Sequence, residues 1–316
     1  MVVRSGILAR TVPIAVAGRA LTINQDLKAL CPGPAIDSWF LYYLLEAKMP
    51  VLLALVSCGA TVHRLITDQI RDVSFMLPPF GEQRRIVAIL DEAFESIATA
   101  KANAEKNLQN AGEIFKSQAK GLFMLGASRW ASKTLDQIAV NLDSKRVPIT
   151  KSDRKAGDYP YYGASGIVDY VADYIFDGDT LLVSEDGANL LARSTPIAFP
   201  ASGRYWVNNH AHILKFDQMV TQRFVGFFLE SIPLDSYITG AAQPKLNQKA
   251  LNSIPIPLPT TVAEQAEVVD QLDALARQSD LLRGTYGRKL AALDELKRSL
   301  LRQAFSGALT SGKLAA

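Results

Sequence analysis

Apolar residues in the C-terminal part of the chain recur in alternating steps of four and three: Val268, Leu272, Leu275, Ser279, Leu282, Tyr286, Lys289, Leu293, Leu296 and Leu300, with Ser279 and Lys289 as polar breaks. Such spacing keeps one narrow stripe on one side of a helix, the pattern of a coiled-coil seam. An earlier stretch has the same rhythm at Ile86, Leu90, Phe94, Ile97, Lys101, Ala104, Leu108, Ala111, Phe115, Gln118 and Leu122. Pro78 and Pro79 precede the first seam, and Pro257 and Pro259 the second. Proline lacks the N–H that a helix interior needs and disfavours helix in the residue before it, so these positions mark where each helix starts. Each seam extends over about forty residues, roughly 60 Å at the rise of an α-helix. A stripe this long and narrow suits one helical partner, and the helices over 82–122 and 263–304 are expected to pair antiparallel with each other.

Between them the pattern changes to short alternating runs. Asp169 to Phe176, Thr180 to Val183, and His212 to Phe216 read as strands, with Trp206 to Ile213 as a further strand, and Gln222 to Ser231 reads as a short helix. Asp177-Gly178-Asp179, Asp186-Gly187 and Ser202-Gly203 are turn signals between them. The region 130–257 is therefore expected to be a β-rich domain.

The chain also repeats itself. Leu8-Ala9-Arg10-Thr11-Val12-Pro13-Ile14-Ala15 returns as Leu191-Ala192-Arg193-Ser194-Thr195-Pro196-Ile197-Ala198, six of the eight positions being identical. In the same order, Trp39 to Leu45 answers to Arg223 to Leu229, Gly59-Ala60 to Gly240-Ala241, and Leu77-Pro78 with Glu82-Gln83 to Leu258-Pro259 with Glu264-Gln265. Each Glu-Gln leads into a long helix. The first copy starts at a point equivalent to Leu182, so counterparts of Trp130 to Leu181 are missing from it. The resulting division is 1–77 as a partial first domain, 78–125 as a first spacer helix, 130–257 as a complete second domain, 258–306 as a second spacer helix and 307–316 as a tail.

This order, with Leu77-Pro78-Pro79-Phe80-Gly81-Glu82-Gln83-Arg84-Arg85-Ile86-Val87, Trp130 to Ile138, Tyr162-Gly163-Ala164-Ser165-Gly166-Ile167 and the stretch from Gly240 to Pro259, resembles the DNA specificity subunit of type I restriction-modification systems. The resemblance covers essentially the whole chain. It implies an α+β fold in which β-rich target-recognition domains alternate with two long helices paired as an antiparallel coiled coil. It also implies a non-catalytic protein, acting in defence against foreign DNA, that reads double-stranded DNA at a split site, the helices setting the spacing. Methyltransferase (modification) subunits and restriction/translocase subunits would then supply the chemistry, with S-adenosylmethionine, ATP and magnesium held by those partners. The shortened first domain departs from the family pattern and suggests a chain truncated at its N-terminus that reads one half-site, or both through self-association. Base-edge readout needs polar side chains in the grooves and cations on phosphates. The positions nominated on that basis are Lys145, Arg146 and Lys151 in a basic loop, Tyr161, Tyr162 and Ser165 at a glycine-rich turn, Arg193 in the repeated segment, Asn208 and His210, and Gln243, Lys245 and Asn247.

Composition narrows the alternatives. The 316 residues are 48% hydrophobic and 21% charged, enough apolar surface for packed domains, and the net charge of +3 does not by itself announce nucleic acid. Charge is uneven locally, because Lys145, Arg146, Lys151, Arg154 and Lys155 precede a stretch from 156 to 192 that has no Lys or Arg. Without a long apolar run or a signal peptide, the chain is expected to be cytoplasmic and free of membrane. Cys31 and Cys58 are too few for a cysteine zinc site or a disulfide framework. No metal site is expected, since His210 and His212 alternate along a strand without a clear third ligand.

Catalytic motifs fail on inspection. Met76-Leu77-Pro78-Pro79-Phe80 puts Leu77 where an amino-methyltransferase loop needs an amide or carboxylate. Gly307 to Leu314 approximates a phosphate-binding loop but has Leu314 in place of the magnesium-holding hydroxyl. Glu295-Leu296-Lys297 is nuclease-like only in spelling, on a coiled-coil helix. The competing readings are a DNA-modifying enzyme with a fused recognition domain and a truncated, non-functional specificity-subunit remnant.

Overall fold

A computed structural model describes residues 1–58, 63–240 and 242–306. Gly59-Ala60 and Ala241 of the repeat, and the tail 307–316 with its loop-like Gly307 to Leu314, lie outside the described residues. The chain divides into two units, one formed by Met1–Leu108 with the chain from Gly284 onward, the other by Gln109–Arg283.

In the first unit, β1 (Val2–Val3) pairs antiparallel with β3 (Leu27–Lys28), and β2 (Ser5–Gly6), β5 (His63–Arg64) and β4 (Ser57–Cys58) form a small antiparallel sheet. Helices α1 (Ser38–Ala47), α2 (Met49–Ala54) and α3 (Thr67–Arg71) accompany them, and the first long helix, α4 (Phe80–Ala127), begins here. The Asp37 carboxylate accepts the Trp39 and Phe40 N–H groups at 2.9 and 3.1 Å, satisfying donors that the first turn of α1 cannot pair internally. Val2, Leu8, Val12, Leu45, Leu52, Leu65 and Ile70 form one core. Phe40, Tyr43 and Leu44 pack on Ile86 and Leu90 of α4 and on Leu301 and Ala304, which belong to the second long helix, α9 (Val262–Phe305). The two helices run antiparallel in this unit: Lys297 Nζ stands over the Phe94 ring at 5.0 Å, and Lys101 Nζ meets Asp294 at 2.7 Å.

The second unit holds β6 (Ala131–Thr134), α5 (Leu135–Ile138), β7 (Val140–Asn141), β8 (Ala156–Gly163), β9 (Gly166–Val171), β10 (Phe176–Asp177), β11 (Thr180–Ser184), α6 (Asn189–Ala192), β12 (Ala198–Ala201), β13 (Arg204–Val207), β14 (Ala211–Lys215), α7 (Met219–Ser231), α8 (Gln248–Asn252) and β15 (Pro255–Leu258). One sheet has the order β12-β11-β14-β7, all antiparallel, and a second the order β10-β13-β8-β9, in which β13 and β8 are parallel. β6 pairs with β15, joining the start of the domain to its end. The expected strand from Asp169 to Phe176 is two strands, β9 and β10. That from Trp206 to Ile213 is also two, β13 and β14, with Asn208 and His210 in the turn between them. Leu181, Val183, Leu214, Phe224, Phe228, Ile254 and Ile256 join Phe123 of α4 and Val268 and Leu272 of α9 in the main core. Ser279 Oγ donates to the Ala111 carbonyl at 3.0 Å, so the long helices are antiparallel in this unit as well.

The α+β fold therefore alternates β-containing domains with two long helices whose seam departs from a strict heptad. Ile86, Leu90, Ile97, Ala104 and Ala111 are buried, but beyond Phe115 burial passes to Ala119 and Phe123 while Gln118 is exposed. On α9, Lys289 and Leu296 are exposed, and Leu301 and Ala304 are buried instead. A straight helix drifts by ~20° per heptad, and at these ends each helix packs on a globular domain as well as on the other helix.

The repeated glutamines are buried at the helix starts. Gln83 Oε1 accepts the Asp37 N–H at 2.8 Å, and its Nε2 donates to the Ala35 and Pro78 carbonyls, both at 2.9 Å. Gln265 Nε2 donates to the Pro259 carbonyl at 3.0 Å, and its Oε1 accepts from Thr221 Oγ1 at 2.6 Å.

Two substitutions on α9 separate the observed packing from a strict heptad. Leu272→Ala, at a fully buried position, is expected to lower unfolding free energy by about 3 kcal/mol, and Leu296→Asp, at a position 46% exposed, by less than about 0.5 kcal/mol. Urea denaturation of both variants checks this; equal losses would restore the heptad register.

Candidate functional site

The ends of β11 and β14 and the short 3-10 turn Asp143–Lys145 converge on a buried cluster of charge in the second unit. Asn141 begins it, its side-chain oxygen accepting the Asp143 N–H at 2.9 Å and bending the chain after β7. Asp143 Oδ1 accepts the Ile213 N–H at 2.9 Å, and Oδ2 lies 2.5 Å from His212 Nδ1. The other ring nitrogen, Nε2, faces the Leu246 carbonyl at 2.7 Å and donates to it, since a carbonyl can only accept. Arg146 donates through Nη1 to Glu185 at 2.6 Å and to the Ala211 carbonyl at 2.9 Å, with Nη2 3.6 Å from Asp143. Lys245 Nζ completes the group at 3.1 Å from Glu185.

Burial pushes the Asp143 carboxyl up, but the His212 hydrogen bond and charge, the Ile213 N–H and Arg146 outweigh it and hold the group below its ordinary value. Glu185 follows the same balance: burial raises it, and hydrogen bonds from Arg146 and Lys245 with the nearby His212 bring it below the usual carboxylate range. Asp143, Glu185 and His212 offer ligand atoms within 4.8 Å of one another, a spacing that could hold a metal. Arg146 and Lys245 already balance the carboxylates, and His212 has both ring nitrogens on protein acceptors, so the geometry is that of an ion-pair network.

This network brings several of the nominated residues together. Arg146 and Lys245 meet at Glu185. Asn208 Oδ1 accepts the His210 N–H at 2.8 Å, its own N–H donates to the Tyr162 carbonyl at 3.0 Å, and His210 Nδ1 lies 2.9 Å from Asp186. Ser184 Oγ donates to the Ala164 carbonyl, attaching the glycine-rich turn that carries Ser165. Ser165, His210, Gln243 and Lys245 are exposed around this cluster, and Lys145 is exposed one residue before Arg146.

Other nominated residues are committed elsewhere. Tyr161 is fully buried, its hydroxyl 3.3 Å from the Ile149 carbonyl and its ring under Arg154 at 4.3 Å. Arg146 has only 15% of its side chain exposed and is paired with two buried acids, Glu185 and Asp143. Arg193 stands at φ 49°, the one described non-glycine residue with positive φ, at the end of α6. Its guanidinium donates to the Leu190, Leu229 and Ile232 carbonyls at 3.2, 3.2 and 3.0 Å, which holds the left-handed turn. Beside it, Glu230 accepts the Ile197 and Ala198 N–H groups, and burial raises its carboxyl above the ordinary value. Asn247 caps α8 through the Ala250 N–H at 2.9 Å, and Lys151 is exposed on the turn before β8. The sequence reading missed Asp143 and Glu185, the partners that make His212 part of a network. The local signal was faint: Glu185 directly follows β11 with its apolar run Leu181 to Val183, and Asp143 stands in a polar turn like many others.

A family profile described as type I restriction modification DNA specificity domain matches residues 3–109 and 127–287. The chain is 38% identical over 327 aligned positions to the EcoDI type I restriction enzyme specificity subunit of Escherichia coli, covering 87% of this chain and 71% of that protein. A type I restriction enzyme specificity subunit of Haemophilus influenzae is 36% identical over 152 residues, which span 48% of this chain and only 39% of the relative. Among solved structures, a chain from a study of complex assembly and conformational transition of the type I R-M system superposes with a TM-score of 0.69 at 17% identity, covering 85% of this chain and 71% of that one. The HsdS subunit of Thermoanaerobacter tengcongensis gives a TM-score of 0.52 at 17% identity, covering 87% and 71%. These two similarities concern the fold. No described helix is long and apolar enough to cross a membrane.

The network should be visible in acid unfolding. Asp143 and Glu185 are both depressed, so the folded state binds fewer protons than the unfolded chain. Their stabilisation is complete above the ordinary values of 3.8 and 4.5 and is lost as pH falls through the folded ones. Glu230 has the opposite sign, its raised value making stability fall as pH rises through its titration. Asp143→Asn is expected to cost about 3 kcal/mol at pH 7 and to flatten the acid limb. Urea midpoints from pH 3 to 7 test this, and an unchanged acid limb would exclude Asp143 as its source.

Proposed function

Because this chain belongs to the family of type I restriction-modification DNA specificity subunits, we propose that it recognises duplex DNA through residues 130–257. The relatives are specificity subunits, the non-catalytic components of restriction-modification complexes. In this reading the helices α4 and α9 form a scaffold for methyltransferase and restriction/translocase subunits, which hold S-adenosylmethionine, ATP and magnesium and act on the DNA in the cytoplasm. The recognition domain reads one half of a bipartite site, and a second copy of the chain is a candidate source of the other half.

The observation that carries the reading is the convergence of polar loops on the buried network. Ser165, His210, Gln243 and Lys245 are exposed on segments tied to Ser184, Glu185 and His212, an arrangement that presents polar side chains from a fixed frame. Tyr162, Asn208 and Asn247 lie partly or wholly beneath them. We assign Lys145 and Lys151 to phosphates and the exposed polar tips to base edges. Arg146, Tyr161 and Arg193 position the backbone.

Two outcomes follow. Lys145→Ala and Lys151→Ala should each weaken binding to all duplexes about equally and reduce the magnitude of the salt slope by ~1, whereas Arg146→Ala should chiefly lower stability. Fluorescence anisotropy over a salt series and thermal denaturation distinguish these effects; unchanged slopes in both lysine variants would remove them from the interface. The purified chain should transfer no methyl group from labelled S-adenosylmethionine to DNA, and measurable transfer by the chain alone would favour the modifying-enzyme reading.

A further inference from the structure

β9 is an edge strand with two consecutive exposed aliphatic side chains, where regular alternation would expose one. Ile167 is 47% and Val168 56% exposed. The cause is an irregularity in the ladder: Tyr162 pairs with Ile167 and Tyr161 with Asp169, leaving Val168 without a partner opposite. A bulge of this kind bends a strand and re-aims its side chains, and bulges are common beside functional sites.

The surroundings are prepared for this protrusion. A Cβ on Gly163 would lie 2.8 Å from Val168 Cγ1 and 3.4 Å from Asn208 Nδ2, so the Val168 methyl groups rest over bare backbone next to the Asn208 amide. Gly166, at φ 117°, forms the turn that leads into the strand. Two cations stand beside the patch: Arg154 is 3.1 Å from Asp169, the residue after Val168, and Lys151 acts on the same carboxylate. An uncovered apolar edge is an aggregation liability in water. A ligand that satisfies both the apolar centre and the cationic rim is an anionic polymer with apolar groups on its edges. Duplex DNA has one such group in its major groove, the thymine 5-methyl.

We propose that Ile167 and Val168 pack on the 5-methyl group of a thymine, which makes the β9 bulge a specificity-determining element. This rests on the DNA-recognition reading above and deepens it.

The test uses the full chain and duplexes it selects from a random library, resynthesised with deoxyuridine replacing each thymine in turn. Uracil differs from thymine by the methyl group alone. At one thymine the replacement should weaken wild-type binding about fourfold, the equivalent of ~0.8 kcal/mol for one buried carbon. Val168→Ala or Ile167→Ala should abolish most of that difference. Val168→Thr, nearly the same shape, serves if truncation impairs folding, and it should reduce the difference. A selected motif without an A·T pair, or uracil effects that are absent or identical in wild type and variants, overturns the inference and leaves DNA recognition intact. A chain that selects no DNA overturns the recognition reading itself and this inference with it. Concentration-dependent dimerisation abolished by Val168→Asp would assign the patch to a second copy of the chain and also overturn it.

Discussion

The obligation to satisfy a buried amide governs where the long helices start. Gln83 is fully buried, and its amide holds the Asp37 N–H and two carbonyls, one of them from the proline linker that leads into α4. Leaving any of these groups unpaired would cost on the order of 1–3 kcal/mol, so linker, helix start and the cap of α1 are determined together. In the second copy Gln265 bonds at the equivalent positions, Nε2 donating to the Pro259 carbonyl and Oε1 accepting from Thr221 of α7, through a side-chain hydroxyl where Asp37 uses its backbone N–H. A polar residue at this point gives direction as well as stability. An apolar side chain could slide within its pocket, whereas an amide with three bonds admits one geometry.

The second unit uses buried charge in the same way. Asp143 and Arg146 share one turn, while Glu185, His212 and Lys245 come from three other segments, and the bonds between them fix those segments against one another. Apolar packing of equal volume could be as stable, but it would not define where the loop backbones stand to a fraction of an ångström. For the DNA-reading surface proposed above, that placement would matter more than the net free energy.

The long helices were legible because their periodicity is local, four and three residues at a time. Their exact register was not, because burial of Ala119 and Phe123 in place of Gln118 depends on Phe224 and Phe228, which are distant in sequence and packed at 5.2 to 5.3 Å. The β-rich character of 130–257 could be read from turn signals, yet the break between β13 and β14 at Asn208 to His210 could not, since the run looks continuously strand-like. Arg193 shows the limit of reading a repeat as a contact: its counterpart Arg10 is exposed, so the recurring residue has no common environment. His212 was visible as a histidine, but its partners lie far along the chain and meet it only when β11, β14 and the turn after β7 come together.

The pairing of β6 with β15 has an evolutionary consequence. Thr134 faces Pro255 and Ala131 faces Leu258, so the chain leaves the helical framework and returns to it at one doorway. The domain enters and leaves there, and a segment of different length or sequence could be exchanged without changing the distance its ends must span, provided it kept the α7 face that packs on Phe123 of α4 and on Val268 and Leu272 of α9. Under the proposed function, recombination at the two strands would exchange the recognition domain as a cassette while the helices stayed the same.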